Sequence, residues 1–440
     1  MKSNFINSAI PSLISHIESL LKYNSDHVDK SQIENLLNDY IDKYLSTIGI
    51  ALTKGEAITP HIVKRYGRIF KKIKSKSYFK NIELTIDSGG YQIQNGFMNK
   101  QDVYKYIDIY YNNFLPNYYN NLDYAFMVDI APGINYQIFD NYDEMLSMNK
   151  YSYEMASKLP EDIRKKLIYI HHFRTKQIND VYMKLYDSGM FNGFYNFSTG
   201  GLINTNKTFT EPVILFAIPL IPVLTHIIKS KIKKFRYHAL GIGSYKDIII
   251  HRMLEYHIKE TYDIDIEITY DSSTVFKTLA VSRFIYYPDI ETKTISKMFV
   301  REQDMDNYFL NNKTTKELLI ETLNKTVDKY GMKLIENSNI YSKEGTISNV
   351  IYTYGYFQMM KLYKLIDEWS IEFVKNNYHL YKSGDFAEFS KNISDFLNKL
   401  NSNNPTRSTF NRQSALINTL DMIKSLDINY YNYCINTYIP

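Results

Sequence analysis

Cysteine is almost missing: Cys434 is the single one in 440 residues. That excludes a disulfide framework and any metal or redox centre built on several thiolates, and it fits a reducing, cytoplasmic setting. A long apolar run is missing too. The longest, residues 212–228, is broken by Pro219 and Pro222 and carries Thr225 and His226, so a buried helix is expected there rather than a membrane span. The first residues, MKSNFINSAIPSLISHIESLLKY, have neither a continuous apolar core nor a small-residue cleavage site and do not read as a signal peptide. Neither sign of charge dominates: 52 Lys and Arg against 47 Asp and Glu leave +5, which permits a polyanionic partner without requiring one. Tryptophan occurs once against 41 tyrosines. With recurrent Asn, Ile and Lys, this is the bias of an AT-rich genome rather than a functional signal.

The apolar content, 44% of positions, is ample for a sizeable core. It is arranged in short runs of alternating β-formers with polar or glycine-containing ends: Ile82–Asp87, Tyr124–Asp129, Leu167–His171, Phe194–Thr199, Tyr237–Gly243 and Ile264–Asp271. They recur roughly every 37 residues with helical patterns between them, the spacing of β-α units on a parallel sheet. Adding a first strand near Ile48–Leu52 and an eighth near Thr294–Val300 completes an α/β fold of the (β/α)8 TIM-barrel type over residues 45–305. The competing doubly wound open sheet is disfavoured, because no Gly-rich phosphate loop follows the first strand. Residues 1–44 are expected to be a helical segment. Residues 306–440, with helical spacing in Thr315–Tyr330, Val350–Tyr378 and Phe386–Leu400, form a mainly helical extension that could contribute to nucleic-acid binding.

In such a barrel the carboxyl ends of the strands surround the active site. Alternation puts Glu83, Thr85 and Asp87 on one face of their strand, and Asp265, Glu267, Thr269 and Asp271 on one face of theirs. Asp87 and Asp271 then face a common mouth, a pair suited to acid/base and nucleophilic work at an anomeric carbon; as plain aspartates they could equally cap helices. The sequence Asp87-Ser88-Gly89-Gly90 also resembles the nucleophile segment of trypsin-like proteases. Only His16, His27 and His61 precede it, and the β/α context is wrong for that fold.

Asp87-Ser88-Gly89-Gly90-Tyr91-Gln92 instead resembles the first signature of the tRNA-guanine transglycosylase family. Further pieces follow in the family's order: Phe126-Met127-Val128-Asp129, Ser198-Thr199-Gly200-Gly201-Leu202, Leu240-Gly241-Ile242-Gly243 and Tyr270-Asp271-Ser272-Ser273-Thr274. The resemblance spans residues 80–280. It implies exchange of guanine for a 7-deazaguanine by double displacement, with Asp271 as the nucleophile on C1′ and Asp87 as the acid/base. It further implies that Asp129 accepts from the N1–H and N2–H of guanine, that Ser88 and Gly89 belong to the base-binding turn, that backbone amides of Gly200 and Gly201 reach O6, and that Tyr91 stacks on the base. No cofactor is implied.

There are two departures. Where the family has a glutamine, this chain has Ile170-His171-His172-Phe173; by register His171 is the expected replacement and His172 the second choice. The family's zinc site of three cysteines and a histidine cannot exist with one cysteine, and His251 and His257 do not have the spacing of a helical zinc pair. No metal is assigned, the acidic Asp263, Asp265 and Glu267 included, and the homodimer of the tRNA enzymes is not carried over. On these grounds the chain is most similar to the DNA-acting branch, the phage DNA-guanine transglycosylases, which insert preQ0-type 7-deazaguanines, and a phage-encoded enzyme would work in the host cytoplasm. The partners implied are DNA with its target guanine flipped out and the free base. A zinc-free tRNA-guanine transglycosylase and a non-catalytic nucleic-acid-binding relative are the alternatives, the latter disfavoured because a pure binder needs neither Asp87 nor Asp271. Lys207, Lys246, Lys277 and Arg283 follow strand ends and are the expected phosphate contacts, with Arg174, Lys176, a helix start at Gly243-Ser244 and, more remotely, Arg407 and Arg412. The basic runs Lys71–Lys76 and Lys229–Arg236 precede strands and are read as solvated surface at the opposite end.

Overall fold

Alternation at period two is what a strand between two different environments requires. The segments that carry it are strands in the computed structural model, which describes residues 5–6, 43–47, 59–75, 82–90, 93, 98–130, 142–172, 176–200, 217–241, 247–271, 284–299, 344–400 and 407–426. Strands β1 (Phe5–Ile6), β2 (Lys43–Thr47), β3 (Glu83–Asp87), β4 (Tyr124–Phe126), β5 (Leu167–His172), β6 (Asn196–Gly200), β7 (Lys234–Ala239) and β8 (Asp265–Asp271) form one sheet in the order β1-β8-β7-β6-β5-β4-β3-β2. Every pairing in it is parallel. Parallel neighbours need crossover connections, supplied by α1 (Pro60–Ser75), α2 (Lys100–Ile109), α3 (Tyr142–Ser157), α4 (Lys176–Asp187), α5 (Leu220–Lys229) and α6 (Ile248–Tyr262), one between each successive pair from β2 to β8. Helix α5 is the buried helix expected from the apolar run, and no described helix is long and apolar enough to cross a membrane.

The two faces of the sheet meet different surroundings. Leu84, Ile86, Tyr169, Phe197, Tyr237, Ile268 and Tyr270 join the helices in one extended core. Phe126, Ile168 and Ile170 form a separate small cluster on the other face, with Tyr124 and Leu240 packed on it. That inner face is strongly curled. Arg236 on β7 donates to both carboxylate oxygens of Glu83 on β3, at 2.5 and 2.8 Å, and to Glu267 on β8. Its guanidinium also lies 3.7 Å from the ring centroid of Tyr124. Two residues further along β7, on the same face, His238 meets Phe126 edge-on at 5.1 Å. Burial opposes the charge on Arg236, but Glu83 and Glu267 outweigh it and hold the guanidinium above its ordinary pKa. Glu267 is therefore spent on Arg236, and Asp263 and Asp265 pair with Lys259.

Three expectations need correction. Phe5–Ile6 is a strand inside the segment read as helical, and the strand Lys43–Thr47 begins in its last two residues and runs past its end; each is held by a sheet neighbour rather than by its own pattern, and the strand expected at 48–52 lies outside the described residues. Thr294–Val300 is not the eighth parallel strand: β10 (Thr294–Phe299) pairs antiparallel with β9 (Phe284–Asp289) in a separate hairpin. Its turn is closed by Asp289, whose carboxylate accepts from the amides of Glu291 and Thr292. In the sheet, β1 occupies the place beside β8.

Beyond the hairpin, α7 (Glu344–Ser383), α8 (Phe386–Leu400) and α9 (Arg407–Ser425) are helical, and Thr315–Tyr330 lies outside the described residues. Helix α7 stops at Gly384, φ +83°, where the amides of Gly384 and Asp385 return to the carbonyls of Tyr381 and Leu380. Asp385 then accepts from Glu388 N–H to start α8. Helix α7 is tied to the sheet by buried Asp367, which accepts from Arg252 on α6 at 2.8 Å and from the hydroxyl of Tyr270 on β8 at 3.2 Å.

Candidate active site

Asp87 ends β3, half-buried, with Oδ1 accepting from the amide of Gly89 at 3.3 Å. The two glycines that follow serve different needs. Gly89 has φ +83°, a conformation that costs an L side chain of order 1 kcal/mol. Gly90 is a matter of space: a methyl there would lie 2.4 Å from the backbone oxygen of Asp129 and 2.9 Å from its Oδ1. The Asp87 turn and the Asp129 segment thus touch through a missing side chain.

Tyrosines behind the strands fix both segments. The hydroxyl of Tyr106 on α2 donates to the carbonyl of Ser88. Burial, then the charge of Asp87, with Tyr111 and Asp129 adding, pushes that hydroxyl well above its ordinary range, so it remains a donor. Helix α2 runs on into a wide π turn at Tyr110–Phe114, in which adjacent residues both reach the next strand. Tyr110 donates to the carbonyl of Phe126 at 2.7 Å, and the Tyr111 oxygen accepts from Val128 N–H at 3.0 Å. Asn149 on α3 holds both backbone groups of Ile130.

Buried between these anchors, Asp129 meets His172 at 2.5 Å, Oδ2 to Nε2. An ionised carboxylate only accepts, so the Nε2 atom carries the proton between them, and Nδ1 is the ring's other nitrogen. That Nδ1 is buried with no hydrogen-bond partner among the described residues. Gly200, the partner of His172 on the neighbouring strand, again leaves space: a methyl there would lie 2.9 Å from the ring. His171, the residue expected at this place, points the other way. It is stacked on Tyr182 of α4 at 4.4 Å in the outer core, because adjacent strand residues face opposite sides.

Asp271, at the end of β8, is half-buried. Its Oδ1 accepts from the amide of Gly241 at 2.7 Å and faces Nε2 of His238 at 3.2 Å. His238 is wholly buried, and its Nδ1 lies 2.9 Å from the Thr269 hydroxyl. Neither His238 nor Tyr106 was evident from sequence. His238 shares the inward phase of β7, a weak signal, and Tyr106 is one tyrosine among 41.

Asp87, Ser88, Gly89, Asp129, Gly200 and Asp271 are therefore gathered at one end of the sheet. Tyr91, Gly201, Lys207, Lys246, Lys277 and Arg283 lie outside the described residues, as do Arg174 and Gly243-Ser244. At the opposite end Lys74 is bound to Asp123 and to the carbonyl of Ile82, and Lys233 to Asp263, in keeping with the reading of those basic runs as remote from the mouth. Among the described residues no cluster of three or more His, Cys, Asp or Glu side chains is arranged to hold a metal ion. No protein-family model matches the chain, and comparison with curated proteins finds no similar sequence.

Proposed function

We propose that the chain is a guanine transglycosylase acting on DNA, in which the curled sheet closes as a (β/α)8 barrel and its carboxyl-end mouth takes a flipped-out guanine. The observation that supports this most directly is the division of labour among three carboxylates at one end of the sheet. Asp129 is clamped by His172, Asp271 is held, among the described residues, through Oδ1 by Gly241 and His238, and Asp87 sits on a glycine turn in contact with the Asp129 segment. A carboxylate fixed by an imidazole N–H suits recognition of the N1–H and N2–H edge of guanine, and Gly200 makes the room in which the His172 ring lies to reach it.

In the reaction Asp271 attacks C1′ as the bond to N9 breaks, through an oxocarbenium-like state, and Asp87 protonates the departing guanine. The incoming base then gives its proton to Asp87 and displaces Asp271. In duplex DNA the target must first leave the stack, because C1′ and the base edge are covered there. The missing zinc-site cysteines favour DNA over tRNA as the substrate.

Incubation of the protein with radiolabelled guanine and, separately, duplex DNA, single-stranded DNA and tRNA tests the proposal. Label is expected in DNA and not in tRNA, and Asp271→Asn should abolish it while leaving DNA affinity nearly intact. Label in tRNA alone would move the activity to the ribose substrate. Absence of label from all three, or full activity in Asp271→Asn, would refute the mechanism.

A further inference from the structure

The two oxygens of Asp271 are treated differently by the fold. Oδ1 receives the Gly241 amide and faces His238 Nε2, while the other ring nitrogen of His238 meets the Thr269 hydroxyl. Because the carboxylate cannot donate, Nε2 carries the proton that faces Asp271, and Nδ1 meets the Thr269 hydroxyl. Asp271 thus fixes which ring nitrogen faces it as donor, and the Thr269 hydroxyl, which can donate or accept, braces the other. The ring cannot swing away: it is fully buried, edge-on to Phe126.

We infer that His238 is a positioning residue that makes Asp271 a good leaving group, so that the covalent glycosyl-enzyme turns over instead of accumulating. This rests on the transglycosylase reading and adds a role to a residue outside the catalytic set. With Oδ1 held, Oδ2 is the oxygen that meets C1′. In the first half the Oδ2–C1′ bond forms, the C1′–N9 electron pair leaves with guanine, and Asp87 supplies the proton. In the second half N9 of the incoming base bonds to C1′, its proton passes to Asp87, and the Oδ2–C1′ pair returns to Asp271. A hydrogen bond to Oδ1 is stronger when the group is a carboxylate than when it is an ester, since charge strengthens the bond. The His238 and Gly241 donors therefore favour free enzyme over adduct and speed the second half. Loss of the donor should raise the adduct, whereas a merely structural lesion would lower adduct and exchange together.

The test uses the full-length protein with guanine-containing single-stranded DNA and no incoming base. The covalent protein–DNA adduct is measured after denaturing quench, and the adduct is then chased with guanine. His238→Phe keeps the ring volume and removes the donor. It is expected to raise the ratio of adduct to free enzyme by about tenfold and slow the chase by a similar factor. His238→Gln, which can offer an amide N–H from a similar reach, should stay near wild type. If His238→Phe fails to fold, Thr269→Val, which removes the hydroxyl that braces Nδ1 and with it the aim of Nε2 at Asp271, should still raise the adduct ratio and slow the chase. An adduct ratio unchanged or lowered in the folded variant overturns the inference while wild-type exchange keeps the reading intact. A wild type that forms no adduct and takes up no label overturns both.

Discussion

Arg236 on β7 and Glu83 on β3 form a two-pronged ion pair across the inner face of the sheet, four strands apart in its order. The contact exists only because the sheet curls. It also makes the amino-end layer of the inner face a salt-bridged plug, with Glu267 as the second carboxylate and Tyr124 beneath the guanidinium.

Arg236→Met should therefore be costly, because it leaves two carboxylates facing each other without their cation. Breaking a buried pair costs about 3–5 kcal/mol, and the partial exposure of Glu83 and Glu267 puts this case near the lower figure. Urea unfolding reads the change directly. Adding Glu83→Gln to Arg236→Met should recover part of the loss, and an additive further loss would count against the plug.

His172 is expected to govern base affinity. His172→Phe keeps the ring but frees Asp129, so the KM for guanine should rise about tenfold, in line with the loss of one hydrogen bond to a charged group, while kcat changes less. Steady-state exchange at varied guanine separates the two. An unchanged KM would remove Asp129–His172 from the base site.

Two glycine substitutions should have opposite signatures. Gly90→Ala places a methyl 2.4 Å from the Asp129 carbonyl oxygen, so exchange should collapse even where the fold survives. Gly384→Ala, with φ +83° and nothing within 4 Å, should cost about 1 kcal/mol of stability and leave exchange untouched. Thermal melts beside activity assays distinguish them.

Stability should fall on mild acidification. Burial depresses His251 to about 3 and His257 to about 4, and it lowers His226 as well. These histidines are neutral when folded and take up protons on unfolding, so their contribution is complete above the unfolded value near 6.5 and is lost as pH falls toward the folded values. Each fully linked histidine contributes about 1.4 kcal/mol per pH unit within that window. Denaturation midpoints at pH 7.5 and 5 should differ accordingly, and His251→Phe should flatten the slope.

The legible parts of this chain are those where the two faces of an element differ. β3 and β8 alternate because one side is outer core and the other carries charge, so Asp87 and Asp271 could be assigned to the inner face from sequence. Phe386–Leu400 was readable because its apolar stripe packs on one side only. β5 is buried on both faces along its whole length, so parity had nothing to read, and His171 was preferred over His172 by one position. Phe5–Ile6 is too short to carry a period and exists through its pairing with Tyr270 and Asp271. For Thr294–Phe299 the pattern announces a strand but not its partner, which is the preceding hairpin arm Phe284–Asp289.

The π turn at Tyr110–Phe114 makes the length of its helix a tuned quantity. Removing one exposed residue there, such as Asn112, would restore ordinary winding, in which two adjacent residues point about 100° apart and cannot both face one neighbouring segment so closely. Tyr110 and Tyr111 would then no longer both reach the stretch from Phe126 to Val128 that leads to Asp129. In this protein a single-codon deletion on the solvent side would reach the chemistry by changing phase rather than by removing any atom from the site.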